Sequence, residues 1–401
     1  MKQVTLGTTG AEVSTLCLGA MYLGTRQDQA ASFELLDHYI AAGGSFIDTA
    51  NIYAHWVEGF SGGESETLLG EWLKARGNRD EVFLATKVGF EYSDQARGLT
   101  AAQIEAECDK SLKRLGVKTI DLYYAHKDDR QTPLEETLEA FDKLVQAGKV
   151  RYTGASNYTA WRLEQARQIS TAHDWAAYGC VQQRHSYLRS RRGTTFDPQL
   201  EASEELLDYC QSEGVTLLAY SALLSGAYTR ADRDFPAQYP GADSDARLVA
   251  LRKVALEQDA TRNQIILAWI LAHRVIPLVA ASTSDQLDEN LGALAITLTD
   301  EQIALLDAAH IMPDHAAESW STVSNGLALC SLHHKLFDRG AFSVDERYRV
   351  EISPLVNGTE ATERFLWHFE DRYLRVPRDD SLVPGEEFVR WHQREVFREA
   401  G

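Results

Sequence analysis

Short apolar runs and amphipathic stretches alternate along the first 300 residues of the chain with a regular beat. Residues 1–15 alternate weakly and predict a small hairpin. Leu16-Cys17-Leu18-Gly19 is followed by a helical pattern over about 29–42, closed by Gly43-Gly44. The run ending at Asp48 precedes a helix over about 64–76. The run Val82–Lys87 precedes one over about 100–115, with Thr100 as N-cap and Gln103 three residues on. Ile120–Ala125 precedes a helix over about 133–147, whose first turn suits Pro133. Lys149–Gly154 precedes a helix over about 158–171, and Gly179–Gln182 precedes one over about 200–213. Val215–Tyr220 leads through a long loop to a helix over about 247–258. Ile276–Val279 precedes the last unit's helix over about 284–294, with an extra helix at 262–273 before it and another from Thr299. Runs of this length are strands and the longer periodic segments are helices.

Eight strand–helix units in roughly 300 residues are what a (β/α)8 TIM barrel requires. A doubly wound open sheet usually carries a glycine-rich fingerprint after its first strand. Gly19-Ala20-Met21-Tyr22-Leu23-Gly24 does not have that spacing, so an α/β TIM barrel is the expected fold. The rhythm stops after about residue 303. This predicts a barrel over 1–305 and a separate segment over 306–401.

Composition narrows the function. A formal charge of −19 argues against broad attraction to nucleic acid or anionic membranes. The five scattered cysteines fit a reduced, cytoplasmic protein rather than a disulfide framework. The first residues show no apolar secretory core, and no long uncharged apolar span follows. The sequons at Asn157 and Asn357 therefore read as accidents.

Candidate chemistry gathers at the predicted strand ends. Asp48 closes the second strand and Tyr53 follows on its loop; Lys87 closes the third, and His126 follows the fourth. Active sites of such barrels lie at the C-terminal ends of the strands, and these strands are neighbours. A buried ammonium needs a carboxylate partner, which Asp48 supplies. That ammonium is expected to lower the pKa of the Tyr53 phenol, ordinarily about 10. A neutral His126 imidazole could orient a carbonyl oxygen. Each residue alone has a plain structural reading, as turn cap, loop packing, exposed strand end or core histidine. Four such accidents on adjacent strand ends are the less economical account.

Residues 1 to about 305 resemble the aldo-keto reductase family. The matching segments are Phe46–Tyr53, Ala85–Val88, Asp121–His126, Gly154–Tyr158, Ala219–Leu223 with Ser225-Gly226, Val275–Val279 and Gln286–Asn290. The resemblance implies hydride transfer from a nicotinamide nucleotide to an aldehyde or ketone, without metal. Tyr53 would be the general acid, tuned by Lys87 and Asp48, with His126 orienting the carbonyl. Ser156, Asn157 and Gln182 would hold the carboxamide, and Tyr220 would stack on the nicotinamide ring. Ser221, Leu223, Ser225 and Gly226 match the pyrophosphate loop, and Ser282, Gln286, Glu289 and Asn290 the adenosine end. Many members place Lys or Arg near 280–286 to hold the 2′-phosphate of NADP. This chain has no basic residue after Arg274 through that helix, so NADP is expected on resemblance and NAD is the alternative. The small-molecule carbonyl is the expected partner, and a catalytically idle, cofactor-binding barrel is a third class of reading.

The last hundred residues hold six of the chain's twelve histidines. Ala308–Pro313 followed by Ser324–Gly340 is similar to the ββα-metal core of HNH endonucleases. That resemblance implies His310 as a base activating water, Asn325 as its orienter and His334 as ligand of a divalent metal. Cys330 and His333 have the spacing of half a zinc site. The Cys-x-x-Cys pair that usually precedes the first histidine is missing. From Asp307 on, 17 acidic against 11 basic residues leave a net charge of −6, unfavourable for DNA. By that resemblance residues 306–401 are an α+β segment, a truncated nuclease core fused to a reductase that replaces the tail closing the substrate pocket in other members. A structural tail folded on the barrel without nuclease activity is the favoured alternative to an active nuclease.

Overall fold

The computed structural model describes residues 1–93, 95–307, 309–310, 326–327, 329, 333, 336–337, 339–356, 362, 366–374 and 383–397. Its contacts divide the chain into two units. The first comprises 1–187, 193–235 and 266–296; the second comprises 188–192, 236–265 and 297–401.

In the first unit β1 (Gln3–Thr5) and β2 (Glu12–Ser14) form the expected hairpin, paired Gln3 to Ser14. Eight parallel strands then close into a barrel. They are β3 (Cys17–Gly19), β4 (Phe46–Asp48), β5 (Phe83–Val88), β6 (Ile120–Ala125), β7 (Val150–Ser156), β8 (Tyr178–Arg184), β9 (Thr216–Tyr220) and β10 (Ile276–Val279). Each strand pairs with the next in sequence, and β10 returns to β3 through Leu278–Cys17 and Val279–Leu18. The fold is a (β/α)8 TIM barrel, as the alternation of runs predicts.

The intervening helices are α1 (Gln29–Ala41), α2 (Glu64–Arg76), α3 (Ala101–Leu115), α4 (Leu134–Gln146), α5 (Ala160–His173) and α6 (Glu204–Glu213). Thr100 caps α3 through a full capping box with Gln103, while Pro133 occupies the N-cap of α4 rather than its first turn. The hairpin closes the bottom of the barrel: Leu6 and Val13 join its core, and the Gly7 N–H donates to Thr216 Oγ1 at 2.7 Å. Gly7 has φ +52°, and a Cβ there would lie 1.9 Å from the Gly179 carbonyl oxygen, so no other residue fits.

Alternation inside the barrel sets up the site. Phe46, Ala85, Leu122, Tyr124, Cys180 and Leu218 share one buried core cluster. Side chains two positions apart on a strand face the same way. Stepping by two toward the C-terminal ends therefore gives Asp48, Lys87, His126, Gln182 with Arg184, and Tyr220. The polar crown is the continuation of the apolar floor.

The chain continues with α7 (Ala242–Glu257), α8 (Arg262–Ala272), α9 (Ser284–Gly292) and α10 (Asp300–Asp307). In the second unit, Arg247 of α7 donates to the Leu306 carbonyl of α10 at 2.9 Å. β11 (Ala309–His310) pairs antiparallel with β12 (Gly326–Leu327), His310 opposite Gly326. β13 (Phe342–Val344) and β14 (Val350–Ile352) form a second antiparallel pair. These strands share a core with Phe337 and with Phe388 and Val389 of α11 (Glu386–Glu395). His392 on that helix is 1% exposed. Its Nδ1 meets Ser343 Oγ at 2.9 Å and its Nε2 meets the Phe337 carbonyl at 3.0 Å, while its ring stacks on Phe337 at 3.6 Å. Burial pushes this imidazole down to about 4. Among the described residues no helix is long and apolar enough to cross a membrane.

Candidate active site

The Lys87 ammonium from β5 meets Asp48, Thr49 and Tyr53, all from β4 and the loop that follows it. Lys87 and Asp48 are both fully buried and form an ion pair. Lys87 Nζ also donates to Tyr53 Oη at 2.7 Å and to the Thr49 carbonyl at 2.8 Å. Gln182 Nε2 donates to the second Asp48 oxygen at 2.9 Å. Every polar atom of the buried pair thus has a neighbour, as buried charge requires. Burial pushes the Asp48 carboxyl up and the Lys87 ammonium down, and each holds the other's charge against that trend.

The expectation for Tyr53 is overturned. Its phenol lies well above the ordinary value of 10, because burial, followed by the nearby Asp48 carboxylate, disfavours the phenolate. The proximity of an ammonium does not outweigh those two effects. Tyr53 accordingly rests protonated, with its hydroxyl 3.5 Å from Asp48 Oδ1.

His126 follows β6, its N–H bonded to the Val88 carbonyl at 2.8 Å. Its ring stands edge-on to Tyr53 at 6.0 Å and to Phe90 at 4.7 Å. Burial, then the Lys87 charge, hold the imidazole well below its ordinary 6.5, so it is neutral. Among the described residues its buried Nδ1 has no hydrogen-bond partner. Buried N–H groups are rarely orphaned, which assigns the ring proton to Nε2. The site thus combines a protonated phenol with a neutral imidazole N–H donor. Trp56, 47% exposed, packs edge-on to Tyr53 at 6.4 Å and adds an aromatic rim.

The residues expected to hold the nucleotide form a connected run. Asn157, in the left-handed region at φ 57°, donates from Nδ2 to the His126 carbonyl at 3.0 Å and to Ser156 Oγ at 3.1 Å. Its Oδ1 accepts from Tyr220 Oη at 2.7 Å and from the Leu200 N–H at 3.0 Å. Asn157 is therefore tied into the fold on both ends and buried, which also removes it as a glycosylation site. After Tyr220, Ser221, Leu224, Ser225 and Gly226 all have positive φ, a concentration of strain typical of ligand loops. The Ser282 N–H donates to Gln286 Oε1 at 2.8 Å, and the Ser282 carbonyl accepts from Gln27 Nε2 at 3.2 Å. Asn290 is buried near the Ala280 carbonyl, whereas Glu289 is half-buried on the same helix.

An Aldo/keto reductase family model matches residues 15–311. The chain belongs to the aldo/keto reductase family. The reductase is 34% identical over 324 residues to the oxidoreductase YrpG of Bacillus subtilis, covering 77% of this chain and 95% of that protein. It is 32% identical to norsolorinic acid reductase stcV of Emericella nidulans, covering 73% of this chain and 77% of the relative. With the aldo-keto reductase str7 of Strobilurus tenacellus it shares 36% identity, over 71% and 82% of the two chains. Family and relatives make it an NAD(P)H-dependent reductase of small-molecule carbonyl compounds. An HNH endonuclease model matches residues 294–345, overlapping the reductase match. Within that segment the structure pairs the backbone of His310 with Gly326, the residue after Asn325. Asn325, Cys330 and His334 lie outside the described residues. His333 stands edge-on to Phe342 and Phe369.

Arg184 lies beyond the predicted strand Gly179–Gln182: β8 runs to Arg184 and carries the inward face one step further. Counting by two from Gln182 would have found it.

Proposed function

We propose that the reductase converts an aldehyde or ketone to an alcohol with Tyr53 as general acid. The observation that carries this reading is the Asp48–Lys87–Tyr53 chain beside a neutral His126. A bound nicotinamide nucleotide supplies the hydride. His126 Nε2–H orients the carbonyl oxygen by a hydrogen bond. Tyr53 gives its proton to that oxygen as charge develops there, and Lys87, backed by Asp48, stabilises the phenolate left behind.

Ser156, Asn157, Gln182 and Tyr220 hold the nicotinamide end; Ser221, Leu223, Ser225 and Gly226 hold the phosphates. Ser282, Gln286, Glu289 and Asn290 hold the adenosine. The reading is supported by the concentration of positive φ at Ser221, Leu224, Ser225 and Gly226. NADP is the assigned nucleotide by family; NAD is the alternative, since residues 275–292 contain no basic side chain. This reading ends the barrel near residue 305 and sets the protein in the cytoplasm, which the four buried free thiols among the described residues support.

A second activity is favoured by two observations. The β11–β12 backbone pairing and the HNH match support it; in this reading His310 is the base, Asn325 its orienter and His334 the ligand of a divalent metal. One experiment addresses both. Purified protein is mixed with NADPH or NADH and a panel of aldehydes, and nicotinamide absorbance is followed. Turnover lost in Tyr53→Phe supports the acid; equal turnover refutes it. In parallel, plasmid is incubated with Mg2+, Mn2+ or Zn2+. Cleavage lost in His310→Ala supports the nuclease, and intact plasmid removes it.

A further inference from the structure

A nucleotide pyrophosphate carries two negative charges into a barrel mouth, and this chain is acidic overall. The loop from Ser221 to Thr229 contains no Lys or Arg, and neither does 275–292. Arg230, just after the loop, is exposed and paired with Asp232 at 2.6 Å. Arg184 is placed differently. It is 9% exposed and lies on the inward face of β8, two residues beyond Gln182.

The surroundings fix this side chain. Arg184 Nη1 donates to Gln199 Oε1 at 2.9 Å and to Ser221 Oγ at 3.3 Å. The guanidinium carbon sits 4.1 Å from the centre of the Phe196 ring, within cation–π range. The backbone is clamped independently: the Arg184 N–H donates to the Leu200 carbonyl at 3.1 Å, and its carbonyl accepts from the Ala202 N–H at 2.7 Å. The same strap reaches Asn157, through the Leu200 N–H. A planar guanidinium with several donors suits phosphate oxygens, and holding it in one rotamer lowers the entropy lost on binding.

We propose that Arg184 is the cation that meets the nucleotide's pyrophosphate, held against the Ser221 end of the phosphate loop by Gln199 and Phe196. The proposal rests on the reductase reading above, and it adds a residue that the family motifs do not mark in this chain.

The test measures dissociation constants for NADPH, NADH and ADP by quenching of tryptophan fluorescence, at two or more salt concentrations. Arg184→Gln is expected to weaken all three by about ten- to hundredfold, the worth of a charge-assisted hydrogen bond, and to make the salt dependence shallower. Arg184→Lys keeps the charge and is expected to recover most of the affinity and the wild-type salt slope. Gln199→Ala removes the clamp but not the charge, and is expected to stay within a few-fold of wild type. Unchanged affinity and salt slope in Arg184→Gln would overturn the proposal. So would a loss in Gln199→Ala as large as that in Arg184→Gln, since the side chain would then serve only the strap. Should Arg184→Gln fail to fold, the salt slopes of Arg184→Lys and Gln199→Ala decide alone: both wild-type supports the charge, and a flattened slope in Arg184→Lys refutes it. A wild-type protein that binds none of the three ligands removes the reductase reading itself.

Discussion

Replacing Lys87 by Met tests the energetic logic of the site most directly. Lys87 and Asp48 are both fully buried, so each charge has exchanged water for the other. With the ammonium gone, Asp48 retains the Gln182 amide at 2.9 Å and the Tyr53 hydroxyl at 3.5 Å. Two neutral donors do not replace a cation in a dry interior. Breaking a buried pair from one side costs about 3–5 kcal/mol. Converting both partners to well-packed neutral groups is often close to neutral. Lys87→Met is therefore expected to lose roughly 3–5 kcal/mol of barrel stability at pH 7, and Asp48→Asn/Lys87→Met to recover most of it. Burial already pushes Asp48 up. In Lys87→Met a raised folded-state pKa means stability is present below the unfolded value and lost as pH rises through the folded one. The deficit should accordingly shrink as pH falls toward 5. Urea denaturation of wild type, both single variants and the double variant, followed by tryptophan fluorescence at pH 7 and 5, gives the coupling energy. A single-variant loss under about 1 kcal/mol, or a double-variant loss equal to the sum of the singles, would refute the reasoning.

Tyr53→Phe is expected to abolish reduction while leaving the denaturation midpoint within about 1 kcal/mol, because the Lys87–Asp48 pair survives; unfolding of the variant would show that the hydroxyl is structural. The phenol sits above its ordinary 10 and the imidazole of His126 below its ordinary 6.5, so both hold their working protonation states across neutral pH. Turnover should be flat from about pH 6.5 to 9, and a rate limb near pH 7 would contradict the assignment. In the second unit, His392 is depressed to about 4. The unfolded chain binds the proton first, so stability is full above about pH 6.5 and falls as pH drops toward 4, by at most about 3 kcal/mol. Amide protection factors at Phe342–Val344 should fall over that window in wild type and lose the pH dependence in His392→Gln; unchanged protection in wild type would show that the folded unit takes up the proton freely.

Much of the fold was legible because strands and helices in a barrel leave periodic signatures. The eight apolar runs and the caps at Thr100 and Gly43 encode local geometry, and local geometry plus burial specifies a (β/α)8 closure. Asp48, Lys87 and His126 were also legible, since each continues a two-residue alternation out of an apolar floor. Arg184 obeys the same rule but follows a shorter visible run, so the strand's last step was hidden by its polar residues.

What the chain could not reveal by pattern is what depends on distance between segments remote in sequence. Whether Lys87 lowers or fails to lower the Tyr53 phenol depends on how dry the site is and how near Asp48 lies, and only the folded barrel decides that. The tautomer of His126 likewise follows from the lack, among the described residues, of a hydrogen-bond partner at Nδ1. The strap that ties Leu200 to Asn157 joins residues 43 positions apart and leaves no periodic mark. Sequence determined which side chains face the barrel mouth, because alternation is a local property of a strand. Tertiary structure decided their protonation and partners, because desolvation and charge act through space.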